Sequence, residues 1–299
     1  MRNTRKPPTL NRWTAVFLAV LIGACGSCGF TEPGDHQWLL VVQDESLVWD
    51  RGSYLLSSDG STRLELNDCG VDSGSAQPVL SSDGRALLLL GCHNGDGDGR
   101  PVVNALVNSE TVVMDIDASH ATWIDQRRVL FVDERGVLRL VDFSGEDPKI
   151  SVVGDLGRPV TAIDFDAGTS RLAVLLVNDN ESASSVIRLV DMKGKVLDTI
   201  ELSENVSAIF WRDSGRIEGE TRQEWLVVDV ESGKVSNRRD RRGCSMAAAT
   251  ADSYVSWCPQ SGELVQHRDG GTKRTITTIS DDDLDWYFIG VAEAVLDHS

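Results

Sequence analysis

Leu138-Arg139-Leu140-Val141-Asp142-Phe143-Ser144-Gly145-Glu146 and Ile187-Arg188-Leu189-Val190-Asp191-Met192-Lys193-Gly194-Lys195 are two copies of one pattern. Leu226-Val227-Val228-Asp229-Val230-Glu231-Ser232-Gly233-Lys234 is a looser third. Each copy is a short apolar run, an aspartate, a glycine turn and the start of a return run, which is how a β-hairpin reads in sequence. A second pattern comes before each copy. Residues 78–85 lead into 86–90, 121–128 into 129–132, 160–171 into 172–177, and 206–216 follows the same plan. The arginines after these turns, Arg85, Arg128, Arg171 and Arg216, stand 43, 43 and 45 residues apart.

Between residue 38 and the end, apolar runs of 4–6 residues alternate with Asp, Gly, Ser and Asn. Such punctuation predicts strands. Past the first 24 residues, no window of 12 or more holds a helical stripe. A unit of about 43 residues with four short strands matches one blade of a β-propeller. Counting units predicts blades near 78–117, 121–154, 159–202, 206–240 and 244–279. Residues 38–66 and 284–296 together predict a sixth, built from both chain ends. The expected fold is therefore all-β: a propeller of six four-stranded blades over residues 38–299, closed by both chain ends. Five or seven blades, or two sandwiches in tandem, are the alternatives. The turns Ser57-Ser58-Asp59-Gly60 and Ser81-Ser82-Asp83-Gly84 resemble the Ser-Pro-Asp-Gly turn of TolB-type and WD40-like propellers. Serine replaces proline in both, and the Trp-Asp ending of WD40 repeats is missing. The resemblance implies a fold and no particular subfamily.

The first 24 residues read as an export signal. Arg2, Arg5, Lys6 and Arg12 form a basic head, residues 13–22 are apolar, and Gly23-Ala24 is small. Extended to Ala24 the apolar run has 12 residues, short of the roughly 20 a spanning helix needs. Leu21-Ile22-Gly23-Ala24-Cys25 resembles the lipobox of bacterial lipoproteins. That resemblance implies cleavage before Cys25 and a diacylglycerol thioether on it, with acyl chains of the palmitate kind. Two or more such chains hold a protein stably on a membrane. Cys28 is a poorer acceptor, because Cys-Gly-Ser precedes it without an aliphatic residue. Residues 25–37 then form a lipidated Gly/Ser/Pro-rich tether. This reading predicts an extracytoplasmic domain on the cell membrane or outer membrane, touching lipid through the anchor alone. Cys25-Gly26-Ser27-Cys28 also spells C-x-x-C, but it lacks the strand-to-helix setting or second pair that redox or metal chemistry requires.

The whole chain carries a net charge of −17, and loss of its basic head leaves it more acidic still. Nucleic acid is excluded as a partner, since phosphates would be repelled. Four cysteines lie beyond the tether: Cys69, Cys92, Cys244 and Cys258. In an exported chain an even number predicts disulfides. Three pairings are open; Cys69–Cys92 with Cys244–Cys258 closes the shortest loops. No zinc spacing accompanies them.

Asn94-Gly95-Asp96-Gly97-Asp98-Gly99 begins like a calcium loop, but Ala105 stands where the bidentate glutamate belongs and Val102 fills the ninth position. It reads as a polar hairpin tip. Asp281-Asp282-Asp283 with Asp285 reads as a solvated loop. His36, His93, His120, His267 and His298 are scattered, and G-x-S-x-G, P-loop and H-E-x-x-H motifs are missing. No cofactor, metal site or catalytic residue is predicted. Trp123, Trp211, Trp225 and Trp257 are expected to pack between blades. The function expected is a protein-binding scaffold with an envelope protein as partner; a hydrolase or lyase acting on an envelope polymer is the alternative.

Overall fold

The computed structural model of the chain describes residues 38–44, 53–57, 63–66, 77–81, 86–93, 101–107, 110–114, most of 116–278, and 286–291. For several of the early strands and the last one, only the backbone is described. Residues 1–37, Cys69, the 94–99 loop, the 281–285 run, His36 and His298 lie outside the described residues. So do the side chains of Cys92 and His93.

Among the described residues the structure is antiparallel β, in four-stranded sheets of consecutive strands. The first sheet contains β1 (Trp38–Asp44), β2 (Ser53–Ser57) and β3 (Arg63–Leu66). The second contains β4 (Gln77–Leu80), β5 (Leu87–His93), β6 (Pro101–Val107) and β7 (Glu110–Met114). The third contains β8 (His120–Trp123), β9 (Arg128–Val132), β10 (Val137–Asp142) and β11 (Lys149–Asp155). The fourth contains β12 (Val160–Asp166), β13 (Arg171–Leu176), β14 (Ser185–Asp191) and β15 (Val196–Leu202). The fifth contains β16 (Val206–Asp213), β17 (Arg216–Thr221), β18 (Glu224–Asp229) and β19 (Val235–Asp240). The sixth contains β20 (Ser245–Ala249), β21 (Ser253–Cys258), β22 (Glu263–Arg268) and β23 (Lys273–Thr278). The last strand, β24 (Trp286–Val291), pairs antiparallel with β1 and completes the first sheet.

The predicted four-strand unit is therefore present, and its limits agree with the sequence reading to within a few residues. The middle strands β9 and β13 are apolar on both faces. Leu172, Ala173, Val174, Leu175 and Leu176 of β13 are all buried, as are Val129 to Val132 of β9. A strand alternates inward and outward only when one face meets water. Both faces of β9 and β13 are covered, so these central strands become continuous apolar runs.

The repeated motifs have specific jobs. Asp125 Oδ2 accepts a hydrogen bond of 2.7 Å from Arg128 Nε across the β8–β9 turn, and Asp213 and Arg216 repeat this across β16–β17. Arg171 bonds Thr169 instead and lies 5.2 Å from the Trp211 ring centre. Three of the four repeat arginines thus close first-to-second-strand turns; Arg85 lies outside the described residues. The tryptophans join neighbouring sheets. Trp123 donates its indole N–H to the Val79 carbonyl at 2.9 Å, and Trp211 donates to the Asp164 carbonyl at 3.1 Å. Asp142, Asp191 and Asp229 cap third-to-fourth-strand turns by accepting backbone N–H groups two to four residues ahead. The first strands of successive sheets lie side by side: β4 by β8, β8 by β12, β12 by β16, and β16 by β20.

Each of the outer strands β11, β15, β19 and β23 carries a register shift against its neighbour. Such bulges twist an edge strand and spoil it as a template for another strand.

Candidate functional site

Ionisable side chains concentrate where the fifth and sixth sheets meet. In the β16–β17 ladder Trp211 faces Ile217 and Asp213 faces Arg216, which leaves Arg212 as an extra residue. A bulge re-aims the side chain at its position, and the Arg212 side chain is only 3% exposed. Its guanidinium meets the fully buried Glu218 carboxylate at 2.6 Å and also Asp269, in the β22–β23 turn of the sixth sheet. The other Glu218 oxygen pairs with Arg239 of β19. One carboxylate thus sits between two guanidiniums, as burial of a charge requires.

Arg239 lies 4.1 Å over the ring centre of Tyr254, a cation–π distance. The Tyr254 ring also stacks on His267, with centroids 4.5 Å apart and planes within 2°. Trp225 meets Tyr254 edge-on at 5.1 Å. Register explains the stack: Tyr254 and His267 are directly opposite in the β21–β22 ladder, with Ser256 on the diagonal. Ser256 Oγ lies 2.8 Å from His267 Nε2. Burial pushes the His267 imidazole down to about 4, with Lys273 and Arg239 adding to the effect. Burial likewise raises the Tyr254 hydroxyl above its ordinary value.

A second knot fixes the connection from β19 to β20. Arg241 donates to the Cys244 carbonyl at 2.8 Å, the Thr221 carbonyl at 2.5 Å and Ser245 Oγ at 3.1 Å. It also pairs with Glu220 at 2.9 Å. Glu220 accepts the Met246 N–H at 2.7 Å. Burial raises the Glu220 carboxyl above its ordinary value, against the pull of Met246 N–H and Arg241. Arg242 and Gly243 turn the chain here with φ of 52° and 79°. Cys244 and Cys258 close the same end of the β20–β21 hairpin as a disulfide, Cα atoms 4.2 Å apart. One of the pairs expected to close a short loop is thus formed; Cys69 and Cys92 fall where no side chain is described.

The chemistry open to these groups is narrow. Ser256 and His267 have the spacing of a nucleophile and its base, but Ser256 is 1% exposed and lies inside the stack. A substrate carbonyl has no approach to it. His120, the other described histidine of the sequence reading, is held below its ordinary value by burial, against a backbone hydrogen bond with Val160. No group of three or more His, Cys, Asp or Glu among the described residues is arranged to hold a metal ion. A shallow hollow opens instead on the turns of the third sheet, lined by Ile124, Asp125, Gln126, Arg127, Arg128, Asp142 and Ser144. Partial burial works to raise the Asp125 carboxyl there, but hydrogen bonds from Arg127 and Arg128 hold it below its ordinary value.

Sequence reasoning missed the Arg212–Glu218–Arg239 triad and the Tyr254–His267 stack. The stack had a usable signal. A turn at Pro259-Gln260-Ser261-Gly262 puts Cys258 opposite Glu263, and counting back sets Tyr254 against His267. Trp123, Trp211, Trp225 and Trp257, expected between blades, are all buried.

Comparison with known proteins gives the fold and nothing finer. No family model and no curated protein sequence matches the chain. A chain of a nidogen/laminin complex is similar over 86% of this chain and 98% of its own, at 11% identity and a TM-score of 0.55. A protein of unknown function from Bacteroides caccae is similar over 84% and 97%, at 12% identity and a TM-score of 0.52. The C-terminal WD40 domain of Sif2 aligns over 74% and 62%, at 10% identity and a TM-score of 0.47. The chain is all-β and propeller-like.

Proposed function

We propose that this chain is an exported lipoprotein, anchored by acyl chains on Cys25, whose sheets close into a six-bladed ring that serves as a protein-binding scaffold in the cell envelope. The observation that carries the scaffold reading is where the ionisable groups go. Arg212, Glu218, Arg239, Glu220 and Arg241 are spent tying strand to strand and sheet to sheet. What they support is a rigid body under exposed turns, the arrangement that recognition surfaces use. Ring closure is supported by the pairing of β24 with β1 and by the position of β24 beside both β20 and β4. The anchor is supported by the lipobox-like residues 21–25.

Two measurements test this reading. Labelled palmitate should enter the full chain and fractionate with membranes, and Cys25→Ser should abolish both while Cys28→Ser leaves both intact. The reverse pattern would move the anchor to Cys28. Full-length chain carrying a C-terminal affinity tag should then retain one stoichiometric polypeptide from detergent-solubilised envelope, and that polypeptide, purified, should bind it saturably. A folded chain that retains no polypeptide refutes the scaffold.

A further inference from the structure

The edge of a sheet is a template for another strand unless a bulge, charges or brevity blunt it. Five of the six sheets have such protection on their outer strands. β11, β15, β19 and β23 each carry a bulge. β3 has no bulge, but two of its four residues, Arg63 and Glu65, are charged. β7 is the exception. Its five residues, Glu110-Thr111-Val112-Val113-Met114, pair with β6 from Val103 opposite Met114 to Val107 opposite Glu110 without a register shift. It holds no proline, lysine or arginine, and its centre is β-branched, which favours strand pairing. No strand among the described residues pairs with its outer edge.

The neighbouring sheet supplies a second observation. Ile150 and Val152 of β11 are 52% and 69% exposed. In the β10–β11 ladder they lie opposite Val141 and Arg139, and Arg139 lies opposite Phe131 of β9. Val141 and Phe131 pack in one cluster with Leu88 and Met114 of the second sheet. Register therefore puts Ile150 and Val152 on the face of the third sheet that turns toward the second. A strand added beyond β7 would widen the second sheet on that side and give both residues a surface to pack on. Charge indicates what such a strand carries. Residues 101–124 hold Glu110, Asp115 and Asp117 and no lysine or arginine. On the facing side Arg139 is already paired with Asp133, and Lys149 lies opposite Asp142, on the other face of β11 from Ile150. A second copy of the chain fits poorly. Two β7 strands paired antiparallel about Val112 would set Glu110 of each next to Asp115 of the other with no cation between them, and like charges across a ladder repel.

We propose that the outer edge of β7 takes up an extended segment of a partner protein as a fifth strand of the second sheet. The segment is β-branched or apolar at its centre and carries lysine or arginine toward both ends, near Glu110 at one and Asp115 and Asp117 at the other. Main-chain hydrogen bonds give such a contact its affinity, and the flanking charges give it specificity. The inference rests on the scaffold reading and supplies that scaffold's mode of binding.

The test uses the full-length chain in detergent and a fluorescent probe peptide, Lys-Thr-Val-Ile-Val-Thr-Lys with both ends capped. The probe should bind saturably, and its binding should slow hydrogen exchange in residues 110–114 and not in β15, β19 or β23. N-methylation at two adjacent central residues blocks both edges of the probe and should abolish binding. Glu110→Gln with Asp115→Asn should weaken binding roughly threefold to tenfold and reduce its salt sensitivity. Ile150→Ser with Val152→Ser should also weaken it while leaving the thermal unfolding of the chain unchanged. Equal binding of the methylated probe, or protection that falls outside β7, overturns the proposal. So does a probe that fails to bind; the scaffold reading then stands if the tagged chain still retains its envelope polypeptide and falls if it does not.

Discussion

The seam between the third and fourth sheets and the seam between the fifth and sixth join equivalent sheets with different chemistry. At the first, ten buried apolar residues form one cluster, including Leu130, Val132, Leu138, Val160, Leu172 and Val174. At the second, the apolar cluster has four: Trp225, Met246, Ala249 and Tyr254. Arginine–carboxylate pairs, a ring stack and a disulfide occupy the remaining space. The difference teaches that a repeated strand pattern sets where sheets meet without setting what holds them. Apolar packing is tolerant, since neighbours partly fill a gap. A buried ion network is not, because removing one member leaves others charged and unpaired.

The sharpest way to break the comparison is Glu218→Ala. It removes the buried carboxylate shared by Arg212 and Arg239 and should lower stability by about 3–5 kcal/mol, measured by denaturant unfolding. Replacing all three with Met, Leu and Met should recover most of that loss, as apolar substitution of a whole buried network often does. In the apolar seam Leu172→Ala should cost about 2–5 kcal/mol, and no second change should be needed to explain it. Equal rescue in both seams, or a loss under about 1 kcal/mol for Glu218→Ala, would erase the distinction.

Next in size is the disulfide. Cys244→Ala with Cys258→Ala releases a loop of 14-residue separation, worth about 3 kcal/mol by loop-closure entropy. Reductant should shift the unfolding midpoint of the natural chain and not that of the double variant.

The seam between the fifth and sixth sheets should also respond to acid. His267 takes a proton in the folded state only near pH 4, whereas the unfolded chain takes it near 6.5. Between those values the unfolded state binds more protons, so stability is full above 6.5 and falls as the pH drops toward 4. Glu220 works in the opposite sense. Its folded value is raised, so the stability it adds is present below its unfolded 4.5 and is lost as pH rises through the folded value. His267→Gln should flatten the decline between pH 6.5 and 4 in a series of thermal melts. An unchanged slope would show that the imidazole is not in the buried stack.

The smallest effect belongs to the repeat arginines. Arg128 and Asp125 are 45% and 42% exposed, and Arg128→Ala should cost no more than about 0.5–1 kcal/mol in an unfolding titration. A larger loss would mean that the turn clamp anchors more than its own hairpin.

How much of this was legible follows from distance along the chain. The strand runs, the Asp–Gly turns and the 43-residue spacing lie within single units, where local periodicity reports them. The Cys244–Cys258 pair was among the pairings that sequence left open, and hairpin register decided it. The turn hollow left no trace, because Asp125 and Asp142 come from different hairpins.

By itself, then, the sequence determined a chain of short antiparallel strands in four-strand units, because alternating apolar runs and turn residues act over a few positions. Tertiary structure alone decided that Arg212 turns inward on a bulge to meet Asp269, 57 residues away in the next sheet. It alone also set Arg239 over Tyr254 and brought the Gly194 turn against Val153 and Gly154 of the neighbouring sheet. The physical reason is that ion pairs, stacks and apolar patches depend on which side chains become neighbours when sheets pack, and no short-range pattern encodes that.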